Sequence, residues 1–414
     1  MKWKKIFSTK LALLVLLLAA LVMTVPVSAV DSPLFSISGK TTMVDSNDDI
    51  SIYNNNEATH LSDYQLVTFA NVIPISSDEI SLPITLNGKE YVVPLTHNTF
   101  ESLDDGIDSY YGAIPGITNS MMLITVSGGN TIYGSIHLDD ETIIISPVQN
   151  QRSAITKSPL HSVYSSTSLT DSGYGLSFCL TDDDTVVTDQ MSSSLVSSES
   201  RAYAYPRILI VTDSYFVSSE SNWQNAAQQY IQETNYQLNR NDIQAYMYIA
   251  GYDSSKSSSL LSYPLNGNSP REAFKSVYSI ADLNSYQADI GVYFSGYDLP
   301  GSTALGQAES PTSSAKRYAW VQMAADQDNT SVVTGNYQAR VSVTIHEIGH
   351  LYGASHGQAF EYTSTSGSRI WTVMKDEYRP SHSWDYSSPS YHGDANHNNA
   401  GLIASNKFTV AGYI

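Results

Sequence analysis

The stretch HEIGHLYGASH, from His346 to His356, constrains this chain more than any other. Residues four apart share one face of an α-helix, so a helix through His346 and His350 points two imidazoles at one place. Glycine tolerates the left-handed backbone that ends helices. Gly353 is therefore where this helix is expected to stop, and the bend returns His356 toward the same place. A solvated histidine cluster needs no such register.

Three nitrogen ligands with a fourth position open describe a catalytic zinc site rather than a structural one, which would more often recruit cysteines. Glu347 follows His346 by one position and reaches a water at that site without being a ligand itself. The expected ligands are thus His346, His350 and His356, the cofactor is Zn2+, and the catalytic residue is Glu347. Such a zinc lowers the pKa of its water and polarises a carbonyl, while Glu347 takes the water proton and returns it to the leaving amine.

The rest of the chain sets the context. Residues 1–29 read as an export signal: Lys2, Lys4, Lys5 and Lys10, an apolar run from Leu11 to Val25, Pro26, then the small residues Val27-Ser28-Ala29. The protein is therefore expected to be secreted, with no stable membrane insertion once the signal is removed. The formal charge is -19, and losing four lysines and no acids moves it to about -23 (-19 minus 4). So acidic a surface argues against nucleic acid as a partner, because phosphates need basic groups. The single cysteine, Cys179, excludes an intramolecular disulfide.

Residues 30–184 read as a β-rich domain. SLPITL and KEYVV flank Asn87-Gly88, the dipeptide best suited to a type I′ hairpin, and MMLITV and TIYGSI flank Gly128-Gly129. Residues 185–204 are serine-rich and read as a linker with Arg201 as its one basic residue. Residues 205–414 alternate strands and helices: RILIVTD, a helix with Trp223, Ala227, Tyr230, Ile231, Thr234 and Leu238 near one face, IQAYMYIAG, a helix opened by a Ser269–Glu272 capping box, DIGVYF and YAWVQM. YAWVQM is the candidate edge strand for pairing with an extended substrate.

HEIGHLYGASH matches the metzincin pattern HExxHxxGxxH at every defined position, and Met374 in WTVMKDEY lies 18 residues after His356, where that family has its Met-turn. Within the metzincins the chain most resembles the adamalysin or reprolysin (ADAM-type) group, and residues 110–148 are similar to its propeptide. Gly357 stands where adamalysins have aspartate, and Asp376 where astacin-like and serralysin-like enzymes have tyrosine. The resemblance implies an α/β fold: an α+β metzincin-like catalytic domain with a mixed twisted sheet and an active-site helix, preceded by a β-rich prodomain. It also implies a zinc endopeptidase made as a zymogen, with protein or peptide substrates and its own propeptide as inhibitor, and Met374 as an apolar floor beneath the histidines. Two other readings fit the same residues: a secreted binding protein or adhesin with a vestigial zinc site, and a zinc hydrolase of non-peptide substrates.

Cys179 in LSFCLTDDD is a candidate zinc-blocking thiol, its structural alternative being a small buried hydrophobe in a strand. His382, His392 and His397 read as a solvated loop. Asp394, Asn396 and Asn398 lack the calcium-loop pattern, and Asn329-Thr330-Ser331 is a glycosylation sequon.

Overall fold

The computed structural model describes residues 34–44, 61–70, 77–101, 105–139, 141–153, 156–168, 177–179, 202–262, 269–298, 304–311, 313–324, 337–364, 367–377 and 382–414, with the side chains at 149–151 and 177–179 outside that description. The expected signal, the linker up to Arg201 and the Asn329 sequon lie outside the described residues.

The N-terminal region forms one antiparallel sheet from β1 (Phe35–Ile37), β2 (Thr41–Met43), β3 (Gln65–Phe69), β4 (Glu79–Leu86), β5 (Lys89–Asn98), β6 (Ile107–Gly112), β7 (Met121–Ser127), β8 (Thr131–His137), β9 (Thr142–Arg152) and β10 (Pro159–Ser165). Its order, β1-β4-β5-β6-β7-β8-β9-β10-β3-β2, is a meander from β4 to β10. Asn87 and Gly88 take φ of 49° and 76°, as the expected hairpin turn requires, and Gly128 and Gly129 take 58° and 77°. Strand alternation sorts the two faces: Met122, Ile124 and Val126 of β7 with Ile132 and Ile136 of β8 enter one apolar core, while Thr125, Ser127, Tyr133, Ser135 and His137 point the other way.

The second sheet holds β11 (Ser177–Cys179), β12 (Arg207–Thr212), β13 (Tyr248–Asp253), β14 (Ile290–Ser295), β15 (Ala304–Ala308) and β16 (Tyr318–Gln322), in the order β11-β15-β16-β14-β12-β13. Strands β12, β13, β14 and β16 run parallel, and β15 is antiparallel to β16. Helices α1 (Ser214–Ser219), α2 (Trp223–Arg240), α3 (Ser257–Ser262), α4 (Pro270–Val277), α5 (Ile280–Ser285), α6 (Tyr337–Leu351) and α7 (Asn399–Val410) accompany it, with a small hairpin of β17 (Glu361–Thr363) and β18 (Arg369–Trp371).

Helices cover both faces of the sheet, which is why RILIVT and IGVYFS are apolar throughout rather than alternating. Ile208, Ile210, Val292 and Phe294 pack with α2 and α6, and Leu209, Val211, Tyr293 and Trp320 pack with Leu260, Phe274 and Leu283 of α3, α4 and α5.

Two expectations need correction. YAWVQM is interior, paired on both sides as β16, and the edge of the catalytic strands is β15, whose sequence ALGQA has no clear strand pattern. Ser269 makes no side-chain cap at α4; the capping box forms instead at α5, between Ser279 and Asp282. Residues 177–179, at the end of the N-terminal region, pair with β15 of the second sheet.

Candidate metal centre and active site

Helix α6 carries His346 and His350 one turn apart, as the spacing requires. It ends at Leu351, and Gly353 follows at φ 90°, donating its N–H to the His350 carbonyl. A side chain at 353 would strike Asn406, at 2.6 Å from its Nδ2, so glycine serves both the conformation and the close approach. The chain then turns into a 3₁₀ segment, His356–Gln358, that presents the third imidazole.

The three Nε2 atoms converge: His346 to His350 3.0 Å, His350 to His356 3.0 Å and His346 to His356 3.1 Å. A tetrahedral zinc with Zn–N of roughly 2.0–2.1 Å places its ligand nitrogens about 3.3 Å apart, so this triangle fits that ion closely. Among the described residues it is the cluster of three metal-ligating groups. The far nitrogens are tied down: His346 Nδ1 lies 2.8 Å from the Val373 carbonyl and His350 Nδ1 2.8 Å from the Ala354 carbonyl. Donation to those carbonyls leaves each Nε2 lone pair facing the common point. Burial, and after it His350 and His356, holds His346 well below the ordinary histidine range, and burial together with His356 lowers His350 to about 3. Neutral imidazoles are the form a metal takes.

Glu347 is fully buried. Its carboxylate lies against Gly306 of β15, where a Cβ would sit 2.4 Å from Oε1. The glycine therefore lets the acid stand directly beside the edge strand. A Cβ at Gly349 would meet Met374 Sδ at 2.7 Å and Tyr386 at 2.9 Å, so the buried Met374 packs directly against the helix between the two histidine turns. Tyr386 fixes the helix by donating its hydroxyl to the Ile345 carbonyl at 2.7 Å. Sequence reasoning missed Gly306 and Tyr386. Neither lies near a motif, and only long-range packing brings them here.

The later histidines are not among the three converging ligands, although His382 lies near enough to His346 to act on its charge. His382 is buried, against expectation, in the segment that pairs with Trp371; His392 stacks on Tyr362 and lies 3.6 Å from Asp385; His397 binds Asp394 at 2.8 Å. Asp394 also caps its own turn through the Asn396 and His397 N–H groups, and Asn398 caps α7 through Gly401. No described helix is long and apolar enough to cross a membrane.

Residues 205–399 match the Reprolysin_5 model, metallo-peptidase family M12. A search of curated proteins gives no match. Among solved structures, one titled as a chaperone-substrate complex is similar at 18% identity and a TM-score of 0.38, over 51% of this chain, which spans only 35% of that one. The crystal structure of metalloproteinase-II from Bacteroides fragilis is similar at 12% identity and a TM-score of 0.43, over 78% of this chain and 93% of that one. The match over 205–399 and the converging histidines together support a metzincin-like zinc metalloprotease.

Proposed function

We propose that the chain is a secreted zinc endopeptidase made as a zymogen, with His346, His350 and His356 holding the metal and Glu347 as general base and acid. The observation that carries this reading is the placement of the buried Glu347 carboxylate on the same helix turn as the converging Nε2 triangle, against the glycine of the edge strand. Bound zinc supplies Lewis acidity, polarising a scissile carbonyl and acidifying the attacking water. Glu347 takes the proton from that water and passes it to the leaving amine. Met374 and Tyr386 keep α6, and with it the histidines, in one position.

Latency is supported by β11. It lies beside β15, with Cys179 registered opposite Gly306, the residue that touches Glu347. An extended substrate pairing with β15 needs the edge that β11 holds, so activation requires residues 177–179 to leave. Cutting in the serine-rich segment after residue 184, for instance at Arg201, frees them, and the sequence of residues 1–29 supports export. The Cys179 side chain lies outside the described residues, and its role as a blocking thiol remains part of this proposal.

Casein zymography of the secreted protein with and without a chelator, joined to N-terminal sequencing of the active band, tests the reading. Chelator-sensitive clearing by a band starting near residue 202 is expected. An adhesin gives no clearing, a non-peptide hydrolase gives none on casein, and an active band starting near Val30 rules out the zymogen.

A further inference from the structure

Helix α2 is buried on two faces of opposite chemistry. Ala227, Tyr230, Ile231 and Leu238 enter the core of the catalytic unit, as the 3.6-residue pattern predicted. The other face reads Asn225, Gln228, Gln229, Gln232, Glu233, all at most 1% exposed, and lies against the N-terminal sheet. Such a face has no apolar periodicity, so nothing in its residue pattern signals that it is covered.

Each of these five side chains makes at least one hydrogen bond to a hydroxyl, imidazole or carbonyl of the sheet, although the Asn225 Oδ1 is left without one. Asn225 Nδ2 donates to Ser127 at 2.9 Å, Gln228 Nε2 to Ser109 at 3.0 Å and Gln232 Nε2 to the Tyr110 carbonyl at 2.9 Å. Thr125 donates to Gln229 at 2.7 Å. Glu233 receives Ser135 at 2.5 Å and pairs with His137 at 2.8 Å, and Tyr133 donates to Glu220 at 2.5 Å. The last three sheet residues are alternate positions of β8, so one strand presents a single stripe to both buried acids.

Those acids reach the active-site helix. Glu220 pairs with Arg340 of α6 at 3.2 Å, and Glu233 accepts from Tyr337 at the start of α6 at 3.3 Å.

The N-terminal sheet has an apolar core of its own. One apolar cluster lies wholly within the N-terminal sheet, whereas the main catalytic cluster takes only Phe100, Tyr133, Ile144 and Tyr164 from it among its fully buried members. The seam also ends in a cleft of about 410 Å³ between Asn98 and Tyr111 on one side and Gln232, Asn235, Tyr236 and Asn239 on the other. Permanent interfaces resemble a divided hydrophobic core; separable ones are more polar and less completely packed. Burying five amides and carboxylates in a permanent interior brings a desolvation penalty that apolar side chains of the same size avoid. That penalty disappears if the face meets water in another state.

We propose that this face of α2 is a reversible docking surface for the chain's own N-terminal sheet, specified by Tyr133, Ser135 and His137 of β8, so that once the connection is cut the two units part and recombine without unfolding. This rests on the zymogen reading above, whose readout is peptide cleavage; the docking readout is size. A protease recognition sequence inserted between residues 185 and 200 of the full chain allows it to be nicked after purification and followed by gel filtration and circular dichroism.

The expected result is co-elution at high concentration, separation into two folded pieces on dilution, and recovery of the complex on reconcentration. The double substitution Ser135→Ala with His137→Ala is expected to raise the Kd at least about tenfold, since it strips two partners from a buried carboxylate. Thr125→Val, which keeps shape and strand propensity, is expected to raise it several-fold and covers the case in which the double variant misfolds. Pieces that never part on dilution, that part only with loss of structure, or whose Kd is unmoved by Thr125→Val overturn the proposal. Pieces that part with no change in casein cleavage keep the docking surface and remove the latency reading instead.

Discussion

The N-terminal sheet and the catalytic unit each bury a histidine whose pKa is lowered to about 3, mainly by burial: His161 in β10 and His350 in α6. Both are neutral near pH 7, yet they do different things. His161 spends both nitrogens on backbone, Nδ1 toward the Pro159 carbonyl at 3.1 Å and Nε2 accepting the Ile132 N–H at 3.0 Å. His350 spends only Nδ1 on a carbonyl and turns Nε2 toward two other imidazoles. A depressed pKa is therefore common to both, and the direction of the second nitrogen separates a structural histidine from a ligand.

That contrast can be broken at either end. His350→Ala removes one of three ligands, so zinc content at low free zinc and casein hydrolysis should both fall to background; retained zinc by metal analysis removes His350 from the site. Gly306→Val pushes a side chain into Glu347 without touching a histidine. Zinc should stay bound while kcat/KM falls about 10²-fold, the usual effect of displacing a catalytic group by about 1 Å.

His161→Ala should do the reverse. It orphans the Ile132 N–H and should destabilise the N-terminal sheet by about 1–3 kcal/mol in denaturant melts, with zinc content unchanged. The wild-type His161 also predicts a pH dependence. Its folded pKa lies below the unfolded value of 6.5, so the unfolded chain binds the proton first. Stability of the sheet should hold above about pH 6.5 and fall by up to roughly 1.4 kcal/mol per unit as pH drops toward 3. His161→Gln should flatten that slope. The smallest effect is expected at the partly exposed His392, where alanine should change stability by no more than about 0.5 kcal/mol and leave zinc content and activity unaltered.

The same contrast explains what could be read beforehand. The zinc motif was legible because eleven consecutive residues carry the helix register, the stop and the third ligand, and the Asn87-Gly88 hairpin because its turn demands positive φ. His161 was not legible, since PLHSVYS carries no signal that strand pairing will bring an N–H to its ring. Nor was the edge of the catalytic sheet: YAWVQM has the higher strand propensity, but being an edge is a property of neighbours, and ALGQA is short and weakly patterned. The polar face of α2 escaped for a related reason, because hydrophobic periodicity detects only burial against hydrocarbon.

The most direct test of the zinc–glutamate site is Glu347→Ala in the processed enzyme, measured for bound zinc and casein hydrolysis on the same sample. Removing the base but no ligand should leave the zinc content equal to that of the wild type and abolish hydrolysis. Hydrolysis that persists, or zinc lost together with activity, contradicts the assignment of Glu347 as the base beside a three-histidine site.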